Sequence, residues 1–457
     1  MGVFEMQKLK KVTILGGGAA GLATGYYAAK RGYPFQIYES QNRLGGICAT
    51  HCRQDGFCFD TGAHRFHNKI LKVTKEIQGL LGDDLRKINI KSMIYLNNHF
   101  VDFPLSPLNL IKNLGIILVL KSGFDWIKSR VRFKKQMFHN FEEYAVYKYG
   151  RFIAKRLLLN YTEKLWGTSC DRLLTEITGE RLKGLSLSSF IIEIFNSSEI
   201  KTTHLDGTFY YPRQGFGRIV EKMAEKICDH SCHTGKEITK VFHEYQRITA
   251  VELNHREVVD TDRVVSTLPL PRFIEMLTPA CPPEILELSQ YLTYRNIILI
   301  VFFLNRRSIT SFGTVYFPDA RFPFNRVSEP RNRSIEMSPP GKTSLLVEIP
   351  CDQSLRLTEA SKQEYTSNVQ KQLQEIGWVR DSDVLGTHVE LVKYAYPLLL
   401  VEHQQRLEKI FKYLKQFDNL SLCGRNSLFK YTHFHDMMYQ AEKAIASFSD
   451  SPAFHVS

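Results

Sequence analysis

The stretch Gly16-Gly17-Gly18-Ala19-Ala20-Gly21 is the part of this 457-residue sequence whose residue types and spacing point most directly to chemistry. Gly16 suits a tight turn from strand to helix, Gly18 lets backbone amides approach a pyrophosphate, and Gly21 lets a helix lie close to a strand. Ala19 and Ala20 complete the candidate phosphate contacts at a helix start, where backbone N–H groups carry partial positive charge. Glu39 follows Gly21 by 18 residues, the place from which a carboxylate accepts hydrogen bonds from adenosine ribose hydroxyls. This constellation is a dinucleotide site, provided that the right elements surround it.

They do. Lys10 to Leu15 reads as a buried parallel strand, Leu22 to Lys30 as a helix, and Phe35 to Tyr38 as a second strand ending on Glu39. Arg43, Gly45 and Gly46 follow, placing charge and accessible backbone where phosphate could be held.

The R-x-G-G element at Arg43 to Gly46 resembles that of flavoproteins of the amine oxidase and protoporphyrinogen oxidase superfamily, in which it lies against the FAD pyrophosphate. Five further blocks are similar to this superfamily. Phe59 to His67, with Gly62, Ala63 and His64, looks like the segment that passes the flavin ring, and is similar to an element of UDP-galactopyranose mutases. Tyr161 to Gly167, containing Trp166, matches a Y-T-E-K-x-W-G stretch of the same mutases. Tyr211 to Arg218 resembles a segment of protoporphyrinogen oxidases, and Val264 to Pro269 resembles the strand that returns to the FAD domain. Gly424 and Arg425, followed by Tyr431, Asp436 and Met437, look like the closing FAD element.

The resemblance implies an α/β fold: a discontinuous Rossmann-type FAD-binding domain (GR2-like) with an inserted mixed helical and β-sheet substrate domain. The FAD-binding pieces are expected at 1–90, 205–280 and 385–457, and the substrate pieces at 91–204 (helical) and 281–384 (β-rich). FAD is the implied cofactor, with Ile238 offering its backbone to adenine. His64, Arg425 and Tyr431 are the implied catalytic residues, and Trp166, Arg181 and Tyr431 the substrate contacts. The implied reaction is hydride transfer to flavin N5 from a small-molecule, anionic substrate. The alternatives are a mutase acting on a nucleotide sugar and a non-catalytic FAD-binding protein. Against the mutase, its second clamp arginine is replaced by Leu185, although Arg181 is retained and Lys183 stands nearby. One such charge-assisted contact is worth about 1.5–3 kcal/mol.

Composition narrows the class. With 43% hydrophobic and 23% charged residues, the chain can bury a large core. Its net charge of +13 favours anionic partners, but the charge is spread, so no nucleic-acid partner is expected. The nine cysteines contain no C-x-x-C pair; Cys48/Cys52 and Cys228/Cys232 lack further ligands, and His433 and His435 lack a third, so no metal is expected. The cysteines read as free thiols of a cytoplasmic protein, and the short polar start predicts no signal peptide. Leu108 to Leu120 is apolar but too short to span a bilayer, which leaves peripheral membrane contact open. Asn296 to Leu304 (NIILIVFFL) reads as a strand covered on both faces, and Arg321 to Arg333 as a loop.

Overall fold

The computed structural model describes residues 10–103, 123–129, 138–178, 208–227, 230–448 and 455–456. Leu108 to Leu120, Arg181, Lys183, Leu185 and Cys228 lie outside them.

Val12–Leu15 (β1) is a strand buried on both faces, as a run of four apolar or β-branched residues between helices should be. It turns at the glycines into helix α1, Ala19–Lys30, which leads to strand β2, Phe35–Tyr38. Around β1 stands a six-stranded parallel sheet in the order 455–456, 420–422, 263–266, 12–15, 35–38, 232–233. The Val264–Pro269 block thus enters as Arg263–Ser266, with Ile14 opposite Val265 on one side and Ile37 on the other. Helix α1 packs through small residues against helices Arg218–Ile227 and Phe434–Ala446.

A second, seven-stranded sheet runs 384–397, 294–304, 343–352, 326–328, 314–316, 92–96, 99–103. The second strand in this order, Tyr294–Leu304, is buried throughout. Ile298, Ile300, Phe302 and Leu304 enter one apolar cluster, and Ile297, Leu299, Val301 and Phe303 another, so the side-chain period of two feeds two separate cores. The double cover expected from NIILIVFFL is therefore present.

Three expectations need correction. The segment after residue 91 opens with an antiparallel hairpin, Ser92–Leu96 and His99–Phe103, before its helices begin. Asn97 and Asn98, both at positive φ, make its turn, a role that asparagine tolerates well. Arg321 to Arg333 is not wholly loop: Arg326–Ser328 is a strand, held by pairing on both sides. Nor are all the cysteines free thiols. Cys52 and Cys58 face one another across the hairpin of Thr50–Cys52 and Cys58–Asp60 and form a disulfide, and Cys232 is also disulfide-bonded. Cys48, Cys170, Cys281, Cys351 and Cys423 are free. Among the described residues no helix is long and apolar enough to cross a membrane.

Candidate functional site

A cavity of about 1020 Å³ opens where the parallel strands end. Gly16, Glu39, Thr267 and Gly424 line it, and each lies one or two residues past the carboxyl end of its strand. This crevice is where α/β sheets take their ligands, because the following helices aim free N–H groups at it.

The glycine end fits a pyrophosphate. Helix α1 starts at Ala19 with Gly18 as N-cap, no side-chain cap and no acidic residue in its first turn. Its first amides therefore need an acceptor from outside. Gly18 and Gly45 form an isolated bridge, and a Cβ on Gly46 would lie 3.1 Å from the Gly18 Cα, so the two backbones leave no room for side chains between them. Arg43 lines the same space, and its buried Nη1 has no hydrogen-bond partner. Such an orphan donor is costly unless an anion meets it. The Glu39 carboxylate accepts from the Gly17 and Gln41 amides at 2.8 and 2.9 Å, which holds it at the cavity edge beside Glu237 and Ile238.

Further in, the Phe59–His67 segment passes the cavity with Ala63 and His64 in its wall. Its backbone is fixed by Glu348, which accepts from the Ala63 amide at 3.0 Å and pairs with Arg326 at 2.5 Å in a nearly water-free setting. The His64 Nε2 is buried without a partner. Burial, then the charges of Arg425 and Arg326, push its imidazole down to about 3, so it is neutral at ordinary pH.

The same cavity is lined by an aromatic cluster. Trp166, Tyr396 and Tyr431 stand with ring centroids 5.9 to 6.3 Å apart. Arg425 sits 5.5 Å from both tyrosine rings and donates to the Ala395 and Thr432 carbonyls. Carbonyls hold the guanidinium in place without neutralising it; among the described residues no carboxylate forms an ion pair with it. Tyr394 and Tyr396 reach the cavity through a bulge in Val384–Pro397, where the register slips and Tyr394 adopts φ 54° while its amide donates to the Asn296 side chain. Bulges of this kind re-aim side chains next to functional sites. The helix Asn160–Trp166 is pinned by Lys164, whose ammonium donates to the Phe317, Asp319 and Phe324 carbonyls.

Of the residues expected from sequence, Gly16, Gly18, Ala19, Ala20, Glu39, Arg43, Gly46, Ala63, His64, Ile238, Gly424, Arg425 and Met437 line the cavity, as do Trp166 and Tyr431. Gly21, Gly45 and Gly62 stand behind its wall. Asp436 is not part of this lining; its carboxylate accepts from the His433 amide at 2.8 Å in a capping box that starts helix Phe434–Ala446. The same cap uses the His433 ring as acceptor. Sequence reading missed Tyr396, Tyr316, Arg326 and Glu348. The only available signal was the alternation of Tyr394 and Tyr396, which puts two aromatics on one side of an extended segment.

His64 gives a pH prediction. Above about pH 7 both folded and unfolded chains hold it neutral, and it contributes nothing. As pH falls through its ordinary value of 6.5, the unfolded chain takes a proton that the folded one refuses until about pH 3. Stability therefore falls with decreasing pH across that window, by about 1.4 kcal/mol per unit for this residue. Urea unfolding of the wild type and His64→Gln at pH 4 to 7 should show a shallower slope for the variant; equal slopes would refute a neutral, buried His64.

Matched against protein families, residues 19–436 fit the flavin-containing amine oxidoreductase family. No curated protein matches the chain by sequence. Among solved structures, reduced UDP-galactopyranose mutase superposes with a TM-score of 0.84 at 18% identity, covering 96% of each chain. A protein of Exiguobacterium sp. 255-15, provisionally named a protoporphyrinogen oxidase, gives 0.73 at 18% identity over 96% of this chain and 98% of its own. Cyclohexylamine oxidase from Brevibacterium oxydans IH-35A gives 0.68 at 12% identity over 96% and 99%. At these identities the structural likeness is one of fold.

Proposed function

Because the chain belongs to the flavin-containing amine oxidoreductase family and is an FAD-dependent enzyme, we propose that it oxidises a small anionic substrate in the chamber between His64 and the Trp166–Tyr396–Tyr431 wall. FAD, when bound, supplies the two-electron acceptor that no side chain provides. Its pyrophosphate fits the first turn of α1 and the orphan Nη1 of Arg43, and its adenosine fits Glu39 and Ile238.

The observation that carries the choice of substrate charge is Arg425. Its charge is held at the cavity by carbonyls alone, in partly buried surroundings where it acts strongly. It occupies the position against Tyr396 and Tyr431 that a substrate ammonium would need for a cation–π contact. An amine would meet repulsion there, and an anion attraction. His64, neutral and with a spare Nε2, orients the reacting group through a hydrogen bond, and the three rings exclude water.

A redox-neutral nucleotide-sugar mutase is the second reading, favoured by the 0.84 superposition and by the Tyr161–Gly167 stretch. For either reading, we place the FAD-binding pieces at 1–90, 205–280 and 385–457 and the substrate pieces between them.

The test begins with the absorption spectrum of the purified protein, which should show bands at roughly 370 and 450 nm for bound oxidised flavin. Primary amines added without oxygen should leave the 450 nm band intact; bleaching by them would overturn the anionic assignment. Conversion of UDP-galactopyranose to its furanose form only after dithionite treatment would replace the oxidase with the mutase. A protein that takes up no FAD would defeat both.

A further inference from the structure

The hairpin that carries Cys52 and Cys58 brings His51 to the edge strand Val384–Pro397, and an ionisable cluster forms where they meet. His388 and Glu390 are two residues apart on that strand and share a face. Across the sheet they oppose Val301 and Leu299, members of an apolar cluster, so no charge reaches them from that side. From the hairpin, the His51 Nε2 stands 3.6 Å from one Glu390 oxygen, and the His388 Nε2 stands 3.5 Å from the same oxygen. The two imidazole rings lie 6.2 Å apart, and Phe59 stacks on that of His51. Arg53, two residues beyond His51, is taken up by Asp55.

Four polar atoms of this region are buried with no hydrogen-bond partner: Nε2 of His51, Nε2 of His388, Oε1 of Glu390 and Nη1 of Arg43. Orphaned buried polar atoms are rare, and four of them together call for an explanation. Arg43 and Glu390 both line the cavity, and the charge of Arg43 acts on His51 as well as on Glu390. Burial draws the His51 imidazole below its ordinary 6.5 against the pull of Glu390, and Arg43 and His388 add to the fall. Burial raises the Glu390 carboxyl, but His388, His51 and Arg43 outweigh it and hold it below the usual carboxylate range. Glu390 is therefore an anion at neutral pH.

An anion here opposes a pyrophosphate, which it repels and with which it shares the field of Arg43. A proton on either imidazole cancels that opposition. We propose that His51, His388 and Glu390 form a proton-responsive counter-charge to Arg43, so that FAD is held more tightly as the two imidazoles take up protons. This rests on the reading of the glycine end and Arg43 as the seat of the FAD pyrophosphate. With both imidazoles neutral the cluster carries one negative charge, and with both protonated it carries one positive charge. The rings are partly exposed, so protons exchange with solvent although the Nε2 atoms are shielded. By reciprocity, the pyrophosphate raises the proton affinity of the rings by the factor by which their protons raise its own binding. The direction separates this from a loss of fold: the buried, neutral His64 weakens the protein as pH falls, which would release cofactor, whereas the cluster retains it.

The test dilutes the FAD-loaded protein in steps at pH 5.5 and pH 8 and follows release by the rise in flavin fluorescence. The dissociation constant should be lower at pH 5.5 by on the order of tenfold, a threefold gain from each imidazole. The double variant His51→Gln with His388→Gln should lose most of that difference; His67 and His433, which also line the cavity, account for the remainder. Glu390→Gln should hold FAD more tightly than the wild type at pH 8, because the repulsion is gone. Full wild-type pH dependence in the double variant, or weaker binding by Glu390→Gln at pH 8, overturns the proposal. Protein that carries no flavin overturns the cofactor reading and this inference together, whereas loaded protein with equal affinity at both pH values overturns the inference alone.

Discussion

Gly21→Ala yields protein without flavin. A Cβ at this position would stand 1.9 Å from the Gly16 carbonyl oxygen and 3.0 Å from its carbon. Both are backbone atoms of the turn that presents Gly16 and Gly18 to the cavity, so relief requires α1 to move away from β1. That movement spoils the phosphate cradle and opens the packing of α1 on the sheet, at a cost of more than about 3 kcal/mol, the upper range for an added core methyl. The measurement is the flavin-to-protein ratio of the soluble fraction, with thermal unfolding alongside. Gly79→Ala is the matched control. It lies inside helix Leu71–Leu81 with nothing within 4 Å of its would-be Cβ, and should stabilise by about 0.5–1 kcal/mol. A Gly21→Ala protein with full flavin content would show that the close approach of helix and turn is not needed.

The second large effect is expected at Glu348. Removing its carboxylate leaves the Arg326 guanidinium buried without a counter-charge and deprives the Ala63 amide of its acceptor. Breaking one partner of such a pair costs about 3–5 kcal/mol, because the remaining charge stays desolvated. Glu348→Ala should therefore lower the urea midpoint sharply and loosen the segment that carries His64. The double variant Glu348→Leu with Arg326→Met removes both charges and should recover most of the lost stability. A single-variant cost below about 1 kcal/mol would mean that water reaches the pair.

Much of the glycine end of the cavity was legible in the sequence for a local reason. The residues from Gly16 to Glu39 lie within one βαβ unit, so spacing alone fixes their relative positions. The same holds for Arg43 and Gly46, two turns later. The aromatic end was less legible, because its wall is assembled from chain segments far apart. Tyr316 reaches Ile94 only through sheet pairing, and Arg326 meets Glu348 only because strands 326–328 and 343–352 are neighbours. No periodicity announces such pairings. Asp436 shows a second local signal in the same motif. Its place in a motif suggested a cofactor contact, and three residues after His433 it is also the N3 position of a helix, where the cap uses it. The hairpin disulfide escaped notice because Cys52 and Cys58 become neighbours only once a turn brings their strands into register.

The strand order of the parallel sheet has a consequence for how this chain is made. The central strand, β1, is synthesised well before its partner on one side, residues 263–266, and before the next strand outward, 420–422. While a ribosome is still translating the middle of the message, Val12 and Ile14 have one sheet neighbour and an open edge. Closing loops of that length is slow compared with local pairing. The nascent chain must therefore carry an unsatisfied apolar strand until residues 263–266 have been made, at translation rates of about 5–20 residues per second. The cavity itself is complete only after strand 420–422 has joined the sheet and brought Gly424 into its wall.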